Sequence, residues 1–432
     1  MGAAAILHAG RASSLETAGE PASPLFPDIG VLAVTDDRWD GLWTTRHFLL
    51  HHLSRFFRIG WLEPMAEWKG ISRHSAHSVP AAKPAVKSVV TAGPRGIAKC
   101  EPLSWVPDFY RPHWLRLAVR SRRYTQAASF LRQLGCKQVV LYLWRPSYAD
   151  ALDSRKSFDA VIYHIDDEYS FADVASPLSA GELQIIRDSD GVIVHSPGLA
   201  ERKGGINPNT YTVPNGVDYR LYARPHSIPA DLASIPKPRI GYTGVIKKQL
   251  DIGLMRQIAE RRPAWSLVLI GPVGNISGQQ AQFEELSKLP NVHLLGHKEV
   301  SELPAYQQHF DAAIMPYVLN AYTDCIYPLK LHEYLAAGRP VIATPVRTLQ
   351  QFSNVVSLER SVEGWISAIH GAVSRKLNTD ELVAARRAVA ARYDWPILAG
   401  RTAGIMLSHL GSREKEIILK NNFPMFCEAG GA

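Results

Sequence analysis

The sequence predicts an α/β protein built of two doubly wound domains in tandem. Three observations carry that prediction. Short continuous apolar runs alternate with longer amphipathic segments, the pattern of parallel strands covered by helices on both faces. The alternation stops in the proline-rich stretch 218–238 and then restarts. The chain has 432 residues, too many for one hydrophobic core.

Each element follows from its local pattern. "IGVLAVT" (29–35) is an unbroken apolar run and reads as the first strand, followed by a helix in "DGLWTTRHFLLHHLSRFF" (40–57). "RIGWLEP" (58–64) is a second strand, and residues 65–112 are rich in proline and poorly patterned. A basic helix follows at 111–135, then strands in "KQVVLYLW" (137–144) and "DAVIYHI" (159–165). "SAGELQIIRDS" (179–189) reads as a helix, "GVIVHS" (191–196) as a strand, "PGLAERKG" (197–204) as a helix and "TYTVPNGV" (210–217) as a strand.

After the break the series repeats. Strands are expected in "RIGYTGV" (239–245), "SLVLIGPV" (266–273), "NVHLLGH" (291–297), "AAIMPY" (312–317) and "PVIAT" (340–344). Helices are expected in "LDIGLMRQIAERR", "SGQQAQFEELSKL", "SELPAYQQHF", "PLKLHEYLAAG", "SVEGWISAIHGAVSR" and "TDELVAARRAVAARY". "DWPILAGRTAGIMLSHL" (394–410) reads as one more helix. The division expected is an N-terminal tail 1–27, a first domain 28–218, a linker 219–236, a second domain 237–395 and a C-terminal tail 411–432. Helix 396–410 is expected to join the first domain.

Composition excludes some classes. The chain is 46% hydrophobic and 20% charged, in the range of globular proteins, with no apolar run long enough to span a membrane. The first 24 residues lack the apolar core of a signal peptide and read as a loose tail. Cys100, Cys136, Cys325 and Cys427 show no paired spacing, so neither a zinc site nor a disulfide framework is indicated, and a reducing cytoplasm is the simplest compartment. Net charge is +8, unevenly placed: residues 41–149 hold 17 Lys and Arg against 4 Asp and Glu. Arg116, Arg120 and Arg123 share one face of the basic helix. That stripe is read as a solvated face or as a contact to anionic lipid headgroups or a phosphate-bearing acceptor. Nucleic acid is not expected, because no binding motif accompanies the charge.

In doubly wound sheets ligands bind beyond the carboxyl ends of the strands, so the strand-end loops of the second domain are the places to search. "GYTGVIKK" offers Gly241 and Gly244 for close backbone approach, and Lys247 and Lys248 for charge. It is neither the G-x-G-x-x-G fingerprint nor a P-loop, which lowers the expectation of an NAD enzyme or an NTPase. In "PLKLHEYLAAG", Lys330 and Glu333 share one helical face near the N-terminus, where backbone N–H groups and dipole favour anions.

Taken in order, the glycine turn with following lysines, the "GH" strand end, "VPNGVD" (213–218) and "KLHEYLAAGRPVIAT" resemble the GT-B glycosyltransferases of the family 4 type. The nearest likeness is to bacterial polysaccharide enzymes of the teichuronic-acid and capsule kind. The resemblance covers about residues 28–410 and is strongest over 213–345. It implies two Rossmann-like domains facing a cleft. It also implies a nucleotide-diphosphate sugar held by the second domain, and transfer, with retention, to a hydroxyl of a lipid-linked or polysaccharide acceptor.

The resemblance places the diphosphate over Gly244, neutralised by Lys247 or Lys248 and by Lys330, with Glu333 accepting from the ribose hydroxyls. Gly271, Pro272, Val273, His297 and Lys298 would hold the base, and Leu329 and Leu331 flank the helix residues. The family has two glutamates separated by seven residues, but Cys325 stands at the first position; Asp324 or Thr323 is the candidate to replace it in contacting the sugar, unless the loop differs. Val245 stands where an arginine often follows the glycine. In the first domain His164, Asp166 and Asp167 end a strand at the cleft, and His195 ends another. Trp39, Gly41, Trp43 and Arg46 are candidates for the acceptor side.

No metal and no cofactor beyond the nucleotide sugar are expected. "DSD" (188–190) has the spacing of a metal motif but reads as a capping or surface cluster. A cytoplasmic location, with peripheral contact on the inner face of the membrane as the open addition, completes the expectation. Two alternatives stay open: a nucleotide-sugar 2-epimerase of the same fold, and a non-catalytic donor-binding subunit of a glycan assembly complex.

Overall fold

The computed structural model describes residues 23–41, 43–65, 97–101, 106, 112–169, 178–374 and 376–422. Most of the expected N-terminal tail and most of the proline-rich stretch 65–112 lie outside the described residues, as does Cys427.

The first sheet is made of β1 (Ile29–Val34), β2 (Arg58–Leu62), β3 (Ile97–Cys100), β4 (Gln138–Leu143), β5 (Ala160–Ile165), β6 (Gly191–Val194) and β7 (Thr210–Thr212). All pairings are parallel and the order is β3-β2-β1-β4-β5-β6-β7. The central strand β1 is buried at every residue, as its continuous apolar run requires. Its side chains alternate between two cores. Val31 and Ala33 pack with Leu398, Ala403 and Met406 of the returning helix Trp395–His409. Leu32 and Val34 pack with Tyr124, Ala127 and Leu131 of the helix His113–Gln133.

That second helix corrects the reading of its basic stripe. Arg120 and Arg123 are buried. Arg120 donates to the Ser147 carbonyl (3.1 Å) and pairs with Asp150 (3.3 Å), and Arg123 donates to the Glu63 carbonyl (2.7 Å). The helical spacing that set these arginines on one face set them on the packing face. A lipid surface cannot reach them, whereas Trp114, on the same helix, is 69% exposed.

The second sheet repeats the plan with β8 (Arg239–Thr243), β9 (Ser266–Ile270), β10 (Val292–Gly296), β11 (Ala312–Met315), β12 (Val341–Ala343) and β13 (Val356–Leu358). Its order is β10-β9-β8-β11-β12-β13. In each sheet strand order reverses direction next to the first strand, between β1 and β4 and between β8 and β11. Such switch points open a crevice at the strand ends.

Two chain crossings join the domains. Val217 N donates to the Tyr393 carbonyl (3.0 Å) and Trp395 N to the Val217 carbonyl (3.1 Å). Between the sheets, the stretch read as linker contains the short helices Tyr219–Ala223 and Ala230–Ala233, whose Tyr222 and Leu232 are buried in the second core. The expected strand 210–217 ends at Thr212. The residues after 410 are not all tail. Glu, Lys and Leu, strong helix formers, make the helix Arg413–Asn422. It is fastened by Lys415 on Asp28 (2.8 Å) and by the buried Leu419. β3 and β13, unforeseen in the sequence, are short edge strands.

Candidate active site

The switch point of the second sheet gathers the donor-side candidates. Gly244 follows β8 with φ +128°, a conformation side chains rarely adopt. A Cβ there would stand 3.3 Å from the Lys330 ammonium and from the Tyr242 hydroxyl. The bare face of Gly244 therefore looks at Lys330, which lies in the first turn of the helix Leu329–Ala336. Gly271 also has positive φ, +141°, and a side chain there would run into the Gly244 carbonyl. The two loops are zipped together: Ile246 N donates to the Pro272 carbonyl (3.0 Å), Gly274 N to the Ile246 carbonyl (2.9 Å) and Lys248 N to the Asn275 carbonyl (2.8 Å).

Lys330 donates to the Tyr317 hydroxyl (3.1 Å) and stands over the rings of Tyr242 (5.1 Å) and Tyr317 (5.6 Å). Burial pushes its ammonium down to about 8, against the opposing pull of Glu333. Lys247, at the mouth of the same loop, is lowered too, by desolvation and by Lys330, while Asp167 across the cleft pulls the other way. Lys247 thus stands close enough to Lys330 to be lowered by its charge, the arrangement expected of a site that takes an anion.

One turn on, the Glu333 carboxylate accepts from Gln307 Nε2 (2.9 Å). Gln307 is fully buried and also donates to Thr243 Oγ1 (3.0 Å). Thr243 in turn is tied to the helix by the Tyr334 hydroxyl, which accepts from Thr243 N (2.8 Å). Burial raises the Glu333 carboxyl, and Gln307 and Lys330 oppose that rise. Gln307, Thr243, Tyr317 and Tyr334 were not singled out in the sequence. Gln307 sits on a separate short helix, Leu303–Gln307, and no spacing rule links it to Glu333.

The other donor-side candidates divide. Pro272, Val273 and His297 are exposed at the strand ends, and His297 lies 3.8 Å from Glu299. Lys298 is instead taken up by Asp231 (2.7 Å). Gly241 lies inside β8, where the ring of Phe310 fills the place of a side chain, so it serves packing rather than a ligand. Leu331 is buried in the second core. Leu329 packs against the first-domain core. Asp324 is exposed and accepts from Arg347 N (3.3 Å). Cys325 is buried, its Sγ 3.9 Å from Glu168 Oε2 and 3.5 Å from Arg202, so it belongs to the domain contact.

On the first-domain side, Arg46 is buried between Asp37 (2.5 Å) and Asp166 (2.8 Å), and Tyr169 also bonds Asp166. The guanidinium is thus taken up by two carboxylates of its own domain. His164 is buried, stacked on Trp144 (centroids 4.1 Å apart), with Nδ1 on the Tyr142 hydroxyl (2.6 Å). Desolvation lowers it to about 3, so it is neutral. His195 is buried with Nδ1 at 3.1 Å from the Ile165 carbonyl. Asp167 faces the other domain, where the Tyr322 phenol is pushed up by burial and by the Asp167 charge. Trp39 and Trp43 stack with His47 and Trp61 in an aromatic cluster, and Gly41 is exposed in a turn on the Arg38 carbonyl. Asp190 of "DSD" holds Arg155 (2.5 Å) and Val161 N (2.7 Å) at the opposite, amino-terminal edge of the sheet.

Two facing parallel sheets with a cation-lined switch point define a class, that of GT-B glycosyltransferases. The fold is shared with the catalytic domain of starch synthase IV from Arabidopsis thaliana bound to ADP and acarbose (13% identity, TM-score 0.61, 89% of this chain and 99% of that one). It is shared too with a glycosyltransferase from Rickettsia africae ESF-5 (10% identity, TM-score 0.60, 93% of this chain and 100% of that one). Residues 237–374 match the family described as glycosyl transferases group 1, so this chain is a GT-B-fold protein carrying a group 1 glycosyltransferase domain. A curated relative is the putative teichuronic acid biosynthesis glycosyltransferase TuaH of Bacillus subtilis (strain 168), 30% identical over 276 residues. That alignment spans 57% of this chain and 66% of the relative. No helix among the described residues is long and apolar enough to cross a membrane.

Proposed function

We propose that the protein transfers a sugar from a nucleoside-diphosphate sugar to a hydroxyl of a lipid-linked or polysaccharide acceptor, with retention and without a metal. The observation that carries the reading is the bare face of Gly244 set against the Lys330 ammonium, with Glu333 one helical turn further. A diphosphate lying on Gly244 meets Lys330, Lys247 and the positive end of the helix. Charge grows on that diphosphate as the sugar leaves, so cations held there stabilise the transition state more than the ground state. This is the work a metal would otherwise do. Glu333, oriented by Gln307, accepts hydrogen bonds from the ribose hydroxyls. Asp167 faces this site from the first domain, where the acceptor hydroxyl would enter, with His164 buried at the end of β5. The kinship with a teichuronic acid biosynthesis enzyme supports a polysaccharide-type acceptor, and retention rests on the resemblance to family 4 enzymes.

A panel of UDP-, GDP-, ADP- and dTDP-sugars tests the reading by thermal shift, because a ligand bound only by the folded state stabilises it by RT ln(1 + [L]/Kd). One base should give a clear shift, and transfer from that donor to a lipid-linked acceptor should survive EDTA. No shift with any donor would sink the assignment. Loss of transfer in EDTA, restored by manganese or magnesium, would sink metal independence alone.

A further inference from the structure

The loop between β11 and the helix Leu329–Ala336 leans on the first domain. Ser196 Oγ donates to the Cys325 carbonyl (2.6 Å), and Arg202 donates to the Ala321 carbonyl (3.3 Å). Arg347, whose backbone N holds Asp324, pairs with Glu201 (2.5 Å). Gly198 marks the tightest approach: a Cβ there would fall on the Asp324 carbonyl and 3.1 Å from Cys325 Cα. Behind this contact Lys203 holds both Glu168 (2.7 Å) and Glu182 (2.6 Å), and all three side chains are at most 1% exposed.

We propose that this contact is a strut through which the first domain positions the donor loop, with Gly198 and Ser196 as positioning residues for sugar transfer. The inference rests on the reading of the cleft as a nucleotide-sugar site. Ser196, Gly198, Glu201 and Arg202 lie on or just before one short helix, Pro197–Lys203, so a single rigid element grips the loop. The same loop carries Tyr317, which holds Lys330, and Tyr322, which meets Asp167. Displacing the strut therefore moves the groups around the leaving diphosphate and leaves Glu333 and the 271–273 loop in place.

The strut also accounts for the thiol at 325. A carboxylate there would be buried against Glu168, and two like charges in a dry contact repel. A small neutral side chain fits, and the position is drawn into the domain contact instead of the donor cleft.

Gly198→Ala tests the strut with little damage elsewhere. The residue is second in its helix, where alanine is the better helix former, so the substitution acts on the domain contact. Gly205→Ala is the control, since a Cβ there meets nothing within 4 Å. Gly198→Ala should lower transfer by about tenfold to a hundredfold, the usual cost of misplacing reacting groups. It should also enlarge the radius of gyration in small-angle scattering. Calorimetric affinity for UDP, GDP, ADP or dTDP, whichever wild type binds best, should stay within about twofold, a split that general damage would not give. Gly205→Ala should match wild type throughout.

Arg202→Ala provides a second arm should Gly198→Ala fold poorly. It should lose about two- to tenfold in rate with an unchanged unfolding midpoint. Wild-type turnover in both variants, or a diphosphate affinity falling in step with the rate, would overturn the strut. If wild type binds no nucleoside diphosphate, the proposed function fails, and scattering from Gly198→Ala still decides whether the contact holds the domains together.

Discussion

At the edge of the first sheet the guanidinium of Arg46 is taken up by Asp37 and Asp166, and Arg120 by Asp150. At the edge of the second sheet Lys330 meets a tyrosine hydroxyl, with Lys247 beside it and a glycine opposite. Both edges are switch points of the same strand order, so topology does not explain the contrast. The first domain closes its guanidinium groups on its own carboxylates and buries a neutral His164 against Trp144, and Asp167 is what it turns toward the other domain. The second leaves cations desolvated and short of counter-charge, a costly state unless an anion arrives. The lesson is that the basic composition of residues 41–149 and the lysines of the candidate donor site are in different places.

Substitutions can break or sharpen that contrast. The largest effect on stability is expected from Arg120→Ala, which takes the buried guanidinium away from the Ser147 carbonyl and from the largely covered carboxylate of Asp150. Removing one partner of a buried pair costs about 3–5 kcal/mol, read as a lower midpoint in urea or heat. Nucleotide binding by the folded fraction should not change. A variant with wild-type stability but weaker binding to anionic liposomes would restore the surface-stripe reading. Lys330→Ala should do the reverse: turnover falling by about a hundredfold to a thousandfold, as for loss of a preorganised charge-stabilising donor, with little change in midpoint. Equal losses of stability and rate would put Lys330 in the same class as Arg120.

Gln307→Ala removes one hydrogen bond to Glu333 and should weaken donor binding by about two- to tenfold. Calorimetry with the best nucleotide sugar measures it, and unchanged affinity would show that Glu333 needs no holding. The smallest effect is in pH. The Lys330 ammonium titrates near 8 in the folded protein, below its ordinary 10.5. As pH rises through about 8 the empty site loses positive charge, and donor affinity should decline. A bound diphosphate favours the charged form, so binding at pH 8.5 should take up a proton, visible as buffer-dependent enthalpy. Lys330→Arg, charged throughout, should flatten the profile. A wild-type affinity flat to pH 9.5 would contradict the desolvated lysine.

Much of the fold was legible in the sequence because buried parallel strands are continuous apolar runs. The runs at 29–34, 138–143, 160–165, 266–270 and 312–315 stand where the pattern put them. The short edge strands β3 and β13 carry too few residues to show a period. The helix Arg413–Asn422 looked like a tail because its anchors, Leu419 near Gly404 of the preceding helix and Lys415 on Asp28, are tertiary contacts and not a pattern. In the candidate site, the joint placing of Lys330, Glu333 and Gly244 was legible because helical spacing and a strand-end glycine are local signals. Gln307, Tyr317 and the Gly198 contact were not, because they depend on which loops the two sheets bring together. Gly241 and the arginine stripe were misread for the same reason: sequence gives a face or a turn but not what packs on it.

Glu333 and Lys330 stand or fall together as parts of one proposed nucleotide-sugar site. The most direct measurement titrates the donor that shifts wild type most into wild type, Glu333→Ala and Lys330→Ala. A charge-assisted hydrogen bond is worth roughly 1.5–3 kcal/mol, so Glu333→Ala should weaken binding about ten- to a hundredfold. Lys330→Ala should weaken it by less than it slows transfer. An exposed helix pair would contribute only about 0.2–0.5 kcal/mol and touch no ligand. If both variants bind the donor as wild type does and turn over normally, this helix edge is not the donor site.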